Sequence, residues 1–179
     1  MLRKRIIFSL IYANGFFNQS RNFRLQKAGN LTWLERNYNF KDIAFSLDEL
    51  IVLNASKDEK KIEEFAKILE RIVENVFIPI AAGGGVRDID DAKLLFNSGA
   101  DKLVLNSLLY ENPDNVRQIV KQYGSQSVIA SIDYKTIDEN NLVFINDGMK
   151  KIDMPLDQYI QYVENLGVGE IYLNSIDKD

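Results

Sequence analysis

Cysteine and histidine are both absent from the 179 residues. Without thiols there is no disulfide, no thiolate nucleophile and no thiolate metal ligand, and without imidazole the commonest metal ligand and the commonest base near neutral pH are missing. Chemistry has to come from carboxylates, lysines, hydroxyls or backbone amides. No metal site and no cofactor are expected. Long apolar runs are lacking as well: no segment reaches the about 18 residues that a membrane-spanning helix needs. The basic start Arg3-Lys4-Arg5 before Ile6-Ile7 is followed by neither a long apolar core nor a small-residue cleavage motif. The expectation is a cytoplasmic protein away from membranes. An excess of positive charge is also absent, since 22 Lys and Arg stand against 26 Asp and Glu, which argues against a broad nucleic-acid surface.

What the sequence does have is material for a core. Its 46% apolar and 27% charged residues suit one soluble domain with a packed interior. Ile6–Leu10 reads as a first strand, and the polar stretch 11–30, with Asn14-Gly15, as a long loop. A helix is expected from Leu31 to about Phe40, and a second strand at Leu50–Leu53. Ile62, Phe65, Ala66, Leu69, Ile72 and Val73 recur on one face of a helix over 58–73. Ile80-Ala81-Ala82 is strand three, a helix over 89–97 closes at Gly99, and Asp101–Leu105 is strand four. Pro113 opens a helix that ends at Gly124, and Ser127–Ile132 is strand five. Leu142–Ile145 and Lys150–Ile152 around Asn146-Asp147-Gly148 predict a hairpin inserted within 134–152. A helix from Pro155 stops at Gly167, and Glu170–Asn174 is strand six.

Five βα units followed by a sixth strand require a parallel sheet covered by helices. Two closures remain open at this point: a doubly wound sheet, complete with six strands, or a (β/α)8 barrel of about 250 residues, of which this chain would be a part.

Candidate functional residues cluster at strand ends. Gly83-Gly84-Gly85, just past strand three, offers backbone amides that can cradle a phosphate, or else makes a tight turn. Asn106 and Ser107 occupy the equivalent exit of strand four. Asp133 ends an otherwise apolar strand, where a general acid or base would sit, or where an Asp would cap a loop. Asp177 and Asp179 follow strand six and can face the same cavity. At the opposite ends, Arg5, Glu49, Lys102 and Glu170 precede or start four different strands. In a barrel they converge as compensating charge at one mouth; as isolated features they are ordinary solvated strand ends. Phe16-Phe17 suggests either a lid or a self-association surface.

Together these stretches resemble the cyclase subunit of imidazole glycerol phosphate synthase. The match runs through Leu2–Leu10 with Asn14-Gly15, Asp48-Glu49-Leu50, Ala82–Val86, Gly99–Lys102, Asn106-Ser107, Glu111-Asn112-Pro113, Gly124-Ser125-Gln126, Ile132–Lys135 and Gly169–Asp179. The resemblance implies a TIM barrel, incomplete here with about six strands, that receives ammonia from a glutaminase partner and acts on a phosphorylated substrate in histidine biosynthesis. It implies a truncated chain that is either unstable alone or associates with another copy across its open side. By position, it implies a catalytic role for Asp133, phosphate binding at Gly84, Gly85, Asn106 and Ser107, an ammonia gate of Arg5, Glu49, Lys102 and Glu170, and a partner interface near Asp101 and Gln126.

The departures carry equal weight. Where the family has its first catalytic aspartate this chain has Ile11; its cysteine is Ser9, its first-loop lysine is Gln19, and the aspartate ending strand two is Asn54. An intact gate without the paired carboxylate points to a divergent member that conducts ammonia to a different acceptor. Divergent relatives of the family stand beside surface-polysaccharide genes, where they resemble partners of a glutaminase and a sugar amidotransferase. The alternatives are a genuine cyclase (lyase) of histidine biosynthesis and a non-catalytic glutaminase-binding scaffold.

Overall fold

Six strands lie parallel and in strict chain order, and this order decides the architecture. The computed structural model describes residues 4–38, 46–57 and 61–178. The parallel strands are β1 (Ile7–Ala13), β4 (Glu49–Asn54), β5 (Ile80–Gly83), β6 (Lys102–Leu105), β7 (Val128–Ile137) and β10 (Glu170–Ser175), each hydrogen-bonded to the next in that sequence. A doubly wound sheet reverses direction at a switch point. Here every βα unit advances the sheet by one strand in the same direction, as in a (β/α)8 barrel, and the sheet is left open because, among the described residues, β10 pairs only with β7.

The helices follow their apolar periodicities. Among the described residues they are α1 (Leu31–Asn37), α2 (Ile62–Val73), α3 (Ile89–Asn97), α4 (Ser107–Glu111), α5 (Pro113–Tyr123) and α6 (Leu156–Glu164). α2 buries Ile62, Phe65, Ala66, Leu69 and Ile72, each of the larger side chains contributing roughly 1.5–3 kcal/mol. α3 starts where the Asp88 carboxylate accepts the N–H groups of Asp90 and Asp91, satisfying donors that a helix start leaves free. These helices cover one face of the sheet, where Leu50, Val52, Ala82, Leu103, Leu105, Val128, Ala130 and Ile132 join the main core. Strand alternation turns the other set inward: Ile51, Ala81, Val104 and Ile129 form a separate buried cluster, flanked by Leu53 and Tyr172.

Three expectations are corrected. The stretch 11–30 is a β-meander: β1 runs to Ala13, turns at Asn14-Gly15, and continues as β2 (Phe16–Arg21) and β3 (Arg24–Gly29), both antiparallel. Only Phe17 of this hairpin is buried, so the alternation that announces a strand is nearly absent and backbone pairing holds it together. The insertion after strand five is larger than a small hairpin, since β7 itself runs past the barrel rim to Ile137 and pairs with β8 (Asn140–Ile145), which pairs with β9 (Lys150–Pro155). The first helix ends at Asn37, where Tyr38 is extended; Phe40, the predicted start of the next helix at 58, and Asp179 lie outside the described residues.

Candidate functional site

Alternation turns every second side chain of the six parallel strands inward, and along β4 and β6 a charged residue, an apolar one and a cavity-lining one follow in that order: Glu49, Ile51, Leu53 and Lys102, Val104, Asn106. At the N-terminal ends Arg5, Glu49, Lys102 and Glu170 meet in a closed ring. Arg5 donates to Glu49 Oε2 at 3.3 Å and to Glu170 Oε2 at 2.7 Å; Lys102 Nζ donates to the same Glu49 oxygen at 2.9 Å and to Glu170 Oε1 at 2.6 Å. Glu49 is 2% exposed while Arg5 is 46% exposed, so the ring runs from the solvent edge into the barrel floor. Both cations use one oxygen of Glu49, and its Oε1 is buried with no hydrogen-bond partner among the described residues.

Mutual pairing sets the protonation of the ring. Burial works to raise the Glu170 carboxyl, but hydrogen bonds from Arg5 and Lys102 hold it below the usual carboxylate value. Burial likewise opposes the Lys102 charge, and the bonds to Glu170 and Glu49 still raise it above an ordinary lysine. The Arg5 guanidinium is raised chiefly by its bond to Glu170.

Above the ring sits the apolar collar of Ile51, Ala81, Val104 and Ile129. Above the collar a cavity of about 1250 Å³ opens at the C-terminal ends of the strands. Asp133 lines it and is 6% exposed. Asn106 Nδ2 donates to one Asp133 oxygen at 3.1 Å and Asn174 Nδ2 to the other at 3.2 Å, so two amides fix the plane of the carboxylate. The Asn106 amide also reaches the Ser131 carbonyl at 2.9 Å.

The glycine turn borders the same cavity. Gly84 and Gly85 line it with φ of 94° and 96°, a left-handed backbone that favours glycine. At Gly84 a Cβ would fall 2.1 Å from the Asn54 carbonyl oxygen. The turn therefore packs against the β4 exit, and Asn54 at that exit is buried with its Oδ1 accepting from the Ser56 N–H and hydroxyl. Ser107 lies on the rim; its hydroxyl accepts the Asn146 N–H at 3.1 Å and lies 3.3 Å from Asn106 Oδ1. Asn146, from the β8–β9 turn, is thereby tied to the mouth.

Several residues fall elsewhere. Asp177 is exposed, its carboxylate accepts from Ser175, and it is not among the cavity-lining residues. Phe17 is 2% exposed and edge-on to Tyr12, which makes it a core side chain rather than a free lid, because the β1–β2 pairing turns it inward. Asp101 is exposed at the floor, but its Oδ2 accepts the Ile80 N–H at 2.8 Å; Asp48 does the same for Ile6. Gln126 is exposed in the 3-10 turn before β7, its amide 3.5 Å from the Tyr123 carbonyl. Both are at the end of the barrel that carries the ring, and neither joins it. Ile11 and Ser9 line the cavity, so the strand-one positions face inward carrying a hydrocarbon and a hydroxyl.

The sequence reading missed Asn174 and Asn146. Asn174 was readable as the third inward position of strand six, four residues after Glu170; Asn146 was not, since only the folded insertion brings it to Ser107. Among the described residues no group of three or more Asp or Glu side chains is placed to hold a metal ion, and no helix is long and apolar enough to cross a membrane.

Comparison with known proteins adds a lineage to this geometry. A family model described as "Histidine biosynthesis protein" matches residues 27–179. All 179 residues align at 45% identity with a protein of Parasynechococcus marenigrum named, provisionally, imidazole glycerol phosphate synthase subunit hisF2, covering 66% of that protein. Over its whole length the chain is also 36% identical to imidazole glycerol phosphate synthase subunit HisF of Natranaerobius thermophilus and 34% identical to the subunit of that name from a Thermotoga species, covering 70% of each. The chain thus spans about two thirds of the length of these relatives.

Proposed function

The chain belongs to the histidine biosynthesis protein family, and from that premise we propose that it is a divergent relative of the cyclase subunit HisF that takes up ammonia at the charged ring and delivers it to an acceptor bound in the cavity. The ammonia comes from a glutaminase docked on the floor around Asp101 and Gln126. The observation that carries this reading is the layering: ring, apolar collar and cavity lie in that order along one axis of a single sheet. A collar of Ile51, Ala81, Val104 and Ile129 disfavours any ion, because charge is not paired there, while letting a small neutral molecule pass. The unpartnered Oε1 of Glu49 supplies an acceptor for an N–H within the ring.

In the cavity Asp133 is the buried carboxylate able to take or give a proton, oriented by Asn106 and Asn174. The turn Gly84-Gly85 together with Asn106 and Ser107 binds phosphate of the acceptor. Ile11 faces that cavity where a second carboxylate would be needed for paired acid/base work, which supports an acceptor other than the histidine precursor. We assign it to a sugar-type molecule of surface polysaccharide synthesis, amidated with the help of a sugar amidotransferase in the cytoplasm. The decisive experiment mixes the protein with its cognate glutaminase and follows isotope from amide-labelled glutamine. Stimulated glutamine hydrolysis with label reaching an acceptor only when Lys102 and Glu170 are intact supports the reading; unchanged transfer in Lys102→Ala and Glu170→Ala sinks it.

A second reading has its own support. Identities of 34–36% to relatives named HisF favour retained cyclase (lyase) chemistry, and restored growth of a cyclase-deficient strain without histidine would establish it. A non-catalytic scaffold instead predicts no saturable binding of a phosphorylated ligand and no effect of Asp133→Asn.

A further inference from the structure

Two arginines face each other at the tip of the β2–β3 hairpin. Arg21 and Arg24 are directly opposite in the antiparallel register, on either side of the turn residues Asn22 and Phe23, whose φ values are 52° and 58°. Like charges in this position destabilise a hairpin, and among the described residues neither guanidinium is ion-paired. The next pair inward is Gln19 opposite Gln26. Alternation puts Gln19, Arg21, Arg24 and Gln26 on one face of the hairpin, and all four line the cavity. These four side chains are exposed, at the open edge of the cavity; from the opposite face Asn18, Ser20 and Leu25 also line it, whereas Phe16 and Lys27, whose ammonium lies 4.3 Å from the Phe16 ring centroid, do not. Arg87, another cation at the mouth, is already held by Asp91 at 2.8 and 3.1 Å.

The hairpin crosses the mouth. A Cβ placed on Gly148, in the β8–β9 turn, would lie 3.4 Å from Ile176 Cδ1 and 3.5 Å from Phe23 Cδ1, so the tip that starts from β1 rests on the far rim. Phe23 thereby anchors the tip that carries the two exposed guanidiniums at the cavity edge.

We propose that Arg21 and Arg24 form a phosphoryl-binding subsite, which takes a phosphate or diphosphate group of the ligand in the cavity, with the Gln19 and Gln26 amides as further donors. Guanidinium forks match oxyanions in bidentate geometry. A phosphoryl group carries about two negative charges near neutral pH and neutralises the pair, whereas a carboxylate carries one. The subsite rests on the proposed reading only in placing a phosphorylated ligand in this cavity; ammonia delivery is not required for it.

The test is calorimetric titration of inorganic phosphate, pyrophosphate and acetate at low ionic strength into the parent protein, the double variant R21Q/R24Q and the control K27Q. The expected result is saturable phosphoryl binding by the parent, weakened about a hundredfold in R21Q/R24Q, at roughly tenfold per charged hydrogen-bonding group lost. K27Q, which removes the same charge from the other face, stays within about twofold if specific contacts rather than general charge hold the anion. Tighter pyrophosphate than phosphate binding identifies a diphosphate ligand, and equal binding a monoester. Parent-like binding by a folded R21Q/R24Q, an equal loss in K27Q, or acetate competing as well as phosphate overturns the subsite. Absent ammonia transfer in a parent that binds pyrophosphate through these arginines would overturn the proposed function and leave the subsite standing.

Discussion

Lys102 and Glu170 are 68 residues apart in the chain, yet Lys102 Nζ lies 2.6 Å from Glu170 Oε1. The contact exists because β6 and β10 each begin with the residue in question and flank β7 on either side. Glu49 completes the arrangement from β4, so one lysine serves two carboxylates.

Removing that lysine tests the ring as structure and as gate. Lys102→Ala leaves Glu49, 2% exposed, with Arg5 as its remaining ring partner. A loss of about 3 kcal/mol is expected for breaking a buried pair, measured by urea unfolding. Glu49→Gln keeps the shape and should cost less while still reducing label transfer from glutamine.

Acid and base should open the ring from opposite sides. The Glu170 carboxyl is lowered from 4.5 in the fold, so its contribution is present above 4.5 and is lost as pH falls through the depressed folded value. The Lys102 ammonium is raised from 10.5, so its contribution is complete below 10.5 and is lost as pH rises through the elevated folded value. Thermal unfolding followed across pH should show both limbs in the parent. Glu170→Gln should flatten the acid limb, and an unchanged acid limb would show that the ring does not govern it.

The glycine turn allows little. Gly84→Ala places a Cβ 2.1 Å from the Asn54 carbonyl oxygen at a φ of 94°, and a destabilisation of about 3 kcal/mol is expected from strain and displaced backbone. Unfolding by denaturant checks the stability, and phosphate titration checks whether the cradle goes with it.

Asp133→Asn should separate chemistry from fold. The carboxylate is held by two side-chain amides, and the isostere keeps the volume, so unfolding should move little while transfer to the acceptor falls about a hundredfold or more, the size expected for a positioned acid or base. Unchanged transfer would show that Asp133 is not the acid or base.

Adjacent phenylalanines on β2 should behave unlike each other. Phe17→Ala removes a side chain 2% exposed and should cost roughly 3–5 kcal/mol. Phe16→Ala removes the partner of Lys27 and should cost about 1 kcal/mol or less. Equal losses would contradict the inward placement of Phe17.

Periodicity in the sequence was enough for five of the described helices and for the six parallel strands, because most of them bury an apolar face whose spacing betrays it, Phe65 and Leu69 on α2 being the clearest case; the short α4, which buries the adjacent Leu108 and Leu109, escapes it. It failed over 11–30, where both faces of the hairpin are mostly polar and only cross-strand hydrogen bonds define strands. Asp133 and the ring residues stood out because they are polar interruptions at the ends of apolar strands, a local signal. Which residues face one another is a different kind of fact. Asn174 on Asp133, Asn146 on Ser107, and Arg21 over the cavity depend on strand order, register and the reach of two insertions, and no stretch of sequence contains those distances. The chain by itself determined the elements that bury an apolar face and the inward positions on the parallel strands, since alternation is local; tertiary structure decided the polar hairpin and the partners, since cross-strand bonds, ion pairs and amide contacts need atoms within about 3–4 Å that lie far apart in sequence.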